Sequence, residues 1–167
     1  MSEKETNADE SALFYTFVLK LTDRPGAMES IAATFAHRGI SLSSTLGNDG
    51  TLDPEGRAIV LVTFTATPAR KEALRNALRR LSRVVSLVEH SADAATIRKS
   101  ALVRLAPNAP APTLPPDTPG SVDLLDCEAD GCCLFAVFGP PVAVDKLLNA
   151  ARQAGHLRGV TYALVAL

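Results

Sequence analysis

Six prolines fall within the fifteen residues Ala106–Gly120, and neither a helix nor a central strand tolerates that density. Each ring fixes φ near −65° and removes a backbone donor, so the stretch reads as an extended connector or loop. The regular structure of the chain must therefore be assembled on either side of it. Upstream lies a long run of alternating strand and helix signals, and downstream a shorter one begins at Val122.

The upstream run has a repeated order. Leu13–Leu21 is a buried-strand pattern rich in Phe, Val and Leu. Met28, Ile31, Ala32 and Phe35 follow at the spacing of one helix face. His37-Arg38 and then Gly39 form a C-terminal stop. Ile40–Leu46 is the next strand, and Gly47–Gly56 is a turn rich in Gly, Asn and Asp. Arg57–Thr65 is strongly β-favouring. Thr67-Pro68 opens a second helix as a cap followed by a first-turn proline, with Leu74, Ala77, Leu78 and Leu81 apolar. Lys71, Arg75, Arg79 and Arg83 line another side, which reads as a solvated face, and Val84–Val88 is a fourth strand. The order β-α-β-β-α-β predicts an α+β fold of the ferredoxin-like, split βαβ type.

A strand pattern recurs at Ser100–Leu105, just ahead of the prolines. Beyond them, Val122–Cys127 and Cys132–Phe138 predict a hairpin around Ala129-Asp130-Gly131. A helix follows Pro140-Pro141, with Val144, Leu147, Leu148 and Ala151 on one face, and Leu157–Leu167 is a last strand. This is the first pattern with one helix missing. The expected organisation is a disordered tail over 1–12, a ferredoxin-like domain over 13–92, and a reduced second α+β domain over 93–167 that the connector interrupts.

Composition narrows the function classes. The chain is 47% hydrophobic and 21% charged, with a net charge of −1, so nothing argues for nucleic acid or a membrane surface as partner. There is no Trp and there are two Tyr, which removes the stacking residues of an RNA-binding sheet. No apolar run approaches the roughly 20 residues of a membrane span, and a cytoplasmic setting is expected. Cys127, Cys132 and Cys133 are odd in number, with two adjacent, and read as structural thiols rather than a disulfide framework. No metal motif, phosphate loop or nucleophile elbow occurs, so neither a metal, a cofactor nor a catalytic residue is expected. Asp49, Asp53 and Glu55 sit in a turn and read as solvated.

The remaining feature is the turn Asp23-Arg24-Pro25-Gly26-Ala27-Met28 between the first strand and the first helix. Pro25 suits a helix's first turn, and Gly26 lets backbone amides approach a small anion such as a carboxylate. Asp23 has two readings, a helix cap or an acceptor for an α-ammonium.

On that turn, on His37-Arg38-Gly39-Ile40 and on the βαββαβ order, Phe14–His90 resembles an ACT domain, a regulatory module that usually binds amino acids. Residues 13–105 and 122–167 are similar to the regulatory (small) subunit of acetolactate synthase. The resemblance implies a homodimer with a branched-chain amino acid such as valine at its interface. One chain would supply Asp23, Arg24, Pro25, Gly26, Ala27 and Met28, and the other Ser41, Leu42 and Ser43. It further implies a non-catalytic chain that activates, and confers feedback control on, a thiamine-diphosphate-dependent catalytic subunit. Asp23 and Ser41 stand where that family carries Asn, and the connector stands where its second domain has a first helix. The alternative is a stand-alone ACT protein that binds another small ligand or regulates a different enzyme.

Overall fold

The computed structural model describes residues 11–91 and 94–166; most of the expected N-terminal tail lies outside them. The chain divides into two compact units, each carrying one four-stranded antiparallel sheet.

The first unit runs β1 (Leu13–Thr22), α1 (Ala27–Ala36), β2 (Leu42–Asn48), β3 (Arg57–Ala66), α2 (Pro68–Arg79) and β4 (Val84–His90), with sheet order β2-β3-β1-β4. The register pairs Phe17 with Val62, Leu19 with Val60 and Leu21 with Ala58, which brings the large apolar residues of both central strands to one face. Ile31 and Phe35 of α1 and Leu74 and Leu78 of α2 close that face. Phe64 is the centre of the core, with the Phe17 and Phe35 rings edge-on at 4.9 and 5.2 Å between centroids. Each such ring contributes about 1.5–3 kcal/mol by burial, and each edge-on pair about 1 kcal/mol more.

Three details differ from the sequence pattern. The buried stripe of α1 is Ala27, Ile31, Thr34 and Phe35, leaving Met28 and Ala32 exposed. Ile31 and Phe35 keep their expected inward places, and the helix starts at a left-handed Gly26. β2 begins at Leu42 rather than Ile40, because the Ile40 amide is spent on the Phe35 carbonyl (3.1 Å) closing α1. The turn expected over 47–56 is shorter, since Gly47 and Asn48 belong to β2 and Gly50–Leu52 forms a single 3₁₀ turn. Within it Asp49 caps Thr51 and Asp53 accepts from the Glu55 and Arg57 amides, both structural tasks.

The second unit runs β5 (Ile97–Leu105), β6 (Ser121–Cys127), β7 (Cys133–Gly139), α3 (Pro141–Gln153) and β8 (Leu157–Ala166), with order β6-β7-β5-β8. The strand order matches the first unit position for position, with the connector Ala106–Gly120 in the chain position of the first helix. Val144, Leu147 and Leu148 of α3 pack on Ala101, Val103, Phe135 and Val137, while Ala109 and Leu114 of the connector pack against the same core. A Cβ on Gly120 would lie 2.2 Å from the Phe138 carbonyl oxygen, so only glycine lets the connector enter the sheet there.

The cysteines require a correction. Cys127 and Cys133 form a disulfide, with Cα atoms 4.1 Å apart. The Glu128 amide donates to the Cys132 carbonyl one step inside the pair, which marks 127/133 as a non-hydrogen-bonded cross-strand pair, where Cα atoms approach most closely. Cys132, just ahead of β7, takes no part in this bond and is buried with a free thiol. Burial, and then the Asp130 hydrogen bond, push its thiol above the ordinary value.

Candidate functional site

Gly26 has φ +81° and brings no side-chain acceptor to the N-terminus of α1. The turn is closed by the Ala27 amide on the Arg24 carbonyl (3.2 Å), and the helical bonds start with Ser30 on Gly26 (3.1 Å). The first turn of a helix otherwise leaves its amides without partners inside the helix, and they carry its positive dipole end. Arg24, Pro25 and Met28 are exposed around this point, and Ala27 is buried beneath it.

The site gains a residue that the turn itself does not contain. Arg83, in the α2–β4 connection, places its guanidinium over Gly26: a Cβ there would lie 2.8 Å from an Nη atom. Its main chain is anchored too, because the Thr22 amide donates to the Arg83 carbonyl at 2.9 Å. Between the two connections lies a cavity of about 160 Å³. Ala27, Ser30, Ser82 and Arg83 bring its backbone and polar edges, and Leu21 and Ile31 are among its apolar walls. The Ser30 hydroxyl donates to the Gly26 carbonyl (2.9 Å), so a cationic side chain, an uncapped helix start and the Ser82 hydroxyl converge on a space fit for a small carboxylate. Arg83 reads in the sequence only as one member of a basic stripe. The signal that identifies it is topological, since β4 pairs with β1 and the residues entering β4 must meet those leaving β1.

Asp23 does not cap α1. Its Oδ2 accepts from the Gly50 amide at 3.1 Å, which ties the turn to the 3₁₀ segment beyond β2. Ser41, Leu42 and Ser43 lie elsewhere. Ser41 and Leu42 edge an open hollow with Ala32, Phe35 and Gly39 at the other end of α1, and Ser43 follows in β2. A ten-residue helix spans about 15 Å, so one chain does not bring both halves of the expected site together.

The basic stripe on α2 is not a solvated face. Lys71 bonds Glu72 (2.8 Å) and Glu89 of β4 (2.9 Å) and lies 5.1 Å from the Tyr15 ring centroid, and Arg75 reaches Glu72 at 2.8 Å. The Glu72 hydrogen bond, and then Glu89, hold the Lys71 ammonium above its ordinary pKa, and Lys71 holds the Glu72 carboxyl below its own. Arg79 donates to the Leu87 carbonyl at 3.5 Å. Arg83 thus differs from its three stripe-mates in facing the α1 turn.

No protein-family model matches the sequence, and no curated protein matches it. Solved structures do. The small subunit of acetolactate synthase from Thermotoga maritima superimposes with a TM-score of 0.66 at 16% identity, covering 93% of this chain and 96% of that one. This chain shares the fold of ACT-domain proteins. The ACT domain of a Chlorobium tepidum GTP pyrophosphokinase aligns with 48% of the chain at a TM-score of 0.41 and 12% identity. The aspartate kinase regulatory subunit of Thermus thermophilus aligns with 87% of this chain and 93% of its own, at 0.45 and 17%. With 93% of this chain covered, the first of these matches extends over both units. Among the described residues, no helix is long and apolar enough to cross a membrane, and no group of His, Cys, Asp or Glu is arranged to hold a metal.

Proposed function

We propose that this chain is a non-catalytic, amino-acid-sensing regulatory protein whose first unit receives the effector's α-carboxylate at the start of α1. The observation that carries this reading is the Arg83 guanidinium over Gly26, beside a cavity of about 160 Å³. The amides of the first turn of α1 and the guanidinium bind the carboxylate, the free Oδ1 of Asp23 takes the α-ammonium, and a small aliphatic side chain of the valine class completes the ligand. A second copy would bring its own exposed Ser41–Ser43 edge to the Asp23–Met28 turn, which makes the working form a homodimer. The regulated partner is a thiamine-diphosphate-dependent acetolactate synthase catalytic subunit, in keeping with the shared two-unit fold.

One observation favours a second reading, a stand-alone sensor of another enzyme. The connector holds the place of a helix in the second unit, so the surface such a helix would offer a catalytic subunit is replaced by a proline-rich one.

The test is a thermal-melting screen of the wild type, Arg83→Met and Asp23→Ala against the twenty amino acids. A ligand that binds only the native state at 100 times its Kd adds about 2.7 kcal/mol, a rise of several degrees. The expected result is a shift with aliphatic amino acids that Arg83→Met abolishes. An absence of shift for every amino acid, or an undiminished shift in Arg83→Met, refutes the site. Recovery of the tagged protein from its host with or without a thiamine-dependent large subunit separates the two regulatory readings.

A further inference from the structure

The second unit contains a cavity of about 280 Å³ between two walls of limited freedom. One wall is the C-terminal half of α3 with Leu147. The other is the connector, where Pro110 and Pro112 fix the backbone, and Leu105 of β5 is also part of the lining. Among the described residues, the polar side chains in the lining are those of Thr113 and His156. Among the described residues neither side chain has a hydrogen-bond partner in the protein. His156 is nonetheless well placed: its amide donates to the Ala151 carbonyl at 2.9 Å and its carbonyl accepts from Ala106 at 2.8 Å. The ring is thus held by its backbone on both sides, half-buried, with its nitrogens open to a ligand as donor or acceptor.

Charge decides what that ligand is. No carboxylate lines the cavity, and the connector carries a single acid, Asp117. The negative end of α3 is already answered by Arg152 in its last turn and by Arg158, whose guanidinium donates to the Gly155 carbonyl at 3.4 Å. With no carboxylate in the lining and two side-chain hydrogen donors, the rim admits an anionic head, and the walls favour hydrocarbon. At about 30 Å³ for each water-sized group, the space holds roughly nine non-hydrogen atoms.

We infer that this cavity binds a short aliphatic monocarboxylate, its hydrocarbon between Leu147 and the two prolines and its carboxylate on His156 and Thr113. An α-ammonium would find no carboxylate among the lining side chains to pair with, so free amino acids are poor occupants. The site is independent of the one proposed in the first unit.

The test titrates 4-methylpentanoate into the full-length, methyl-labelled protein and follows the Leu105 and Leu147 methyl resonances, with 4-methylpentan-1-ol and leucine as comparisons. Ala154 lines the cavity, is exposed and has ordinary helical φ, so Ala154→Trp blocks the space without backbone strain. His156→Phe keeps the ring and removes the donor, and Thr113→Val removes the exposed hydroxyl. The expected result is saturable binding of the carboxylate that is at least about tenfold weaker in His156→Phe, weaker in Thr113→Val and absent in Ala154→Trp. The alcohol and leucine should each bind at least about tenfold more weakly than the carboxylate. No saturable shift below about 10 mM overturns the inference, as does equal binding of the alcohol or of leucine, or binding that survives in Ala154→Trp.

Discussion

Replacing Gly26 by alanine separates the two physical claims made about the α1 turn. At φ +81° an L-residue suffers a steric cost of about 1–2 kcal/mol, because its Cβ crowds its own backbone. The new methyl also meets the Arg83 Nη at 2.8 Å, but that atom ends a flexible side chain and can swing away. Most of the lost stability should therefore persist when Arg83 is also shortened, while a smaller part should vanish. Gly26→Ala, Arg83→Ala and the double variant form a double-mutant cycle, read by urea unfolding with circular dichroism. The expected loss for Gly26→Ala is about 1.5 kcal/mol, with a coupling to Arg83→Ala of about 0.5 kcal/mol. The same cycle read by ligand titration should show a larger coupling, since a displaced guanidinium forfeits a charge-assisted bond of about 1.5–3 kcal/mol. If Gly26→Ala unfolds at the wild-type midpoint, the turn is not left-handed. If the cycle is strictly additive in both assays, Arg83 does not lie over Gly26, and the site loses its cation.

Reduction of the Cys127–Cys133 bond, which joins residues six apart, should lower stability by about 2 kcal/mol through the entropy of the unfolded chain; an unchanged urea midpoint after reduction and alkylation would count against the clip. The pair Lys99–Asp145 should respond asymmetrically. Lys99 is buried over the Tyr162 ring and Asp145 is half-exposed, so Asp145→Ala strands a buried ammonium and costs about 2 kcal/mol, whereas Lys99→Met costs less than 1 kcal/mol. Equal losses in the two variants would refute the assigned burial. For the Lys71–Glu72 contact, the Glu72 carboxyl is lowered, so its contribution is complete above the unfolded value near 4.5 and disappears as pH falls through the lower folded value. The Lys71 ammonium is raised, so its contribution is complete below about 10.5 and disappears as pH rises through the higher folded value. Lys71→Met should flatten both limbs of the pH–stability profile, and an acid limb that survives unchanged would assign it elsewhere.

The fold was legible where pattern and punctuation agree. Leu13–Leu21, Arg57–Thr65 and the Thr67-Pro68 start of α2 all emerge close to their expected bounds, because capping residues and β-rich runs act locally. What was not legible depends on partners distant in the chain. Met28 and Ala32 sit at apolar helix spacing yet face outward, since the face that packs on the sheet is the one carrying Ala27, Ile31, Thr34 and Phe35. Counting cysteines obscured the disulfide, whereas the register of the expected hairpin pairs residue 127 with 133. The turn at Asp23–Met28 is the candidate site that the sequence itself nominates. Arg83 is not nominated with it, because only strand order brings residues nearly sixty positions apart in the chain to the same helix end.

The connector shows how one unit can keep its strand order without its first helix. A helix covers a sheet with a stripe of large side chains and is cooperative, so losing part of it loses the whole. The connector uses two apolar anchors, Ala109 and Leu114, and one glycine-dependent approach to β7. That is a small buried area with which to order fifteen residues. The prolines reconcile the two facts: six rings already restrict the unfolded chain, so less entropy is lost when the segment docks. The same restriction leaves the docked segment open-meshed, with no side-chain stripe to fill the space beside α3. The cavity near His156 is the part of the helix layer that this solution leaves uncovered, and its mixed proline and leucine lining follows from the chain chemistry that created it.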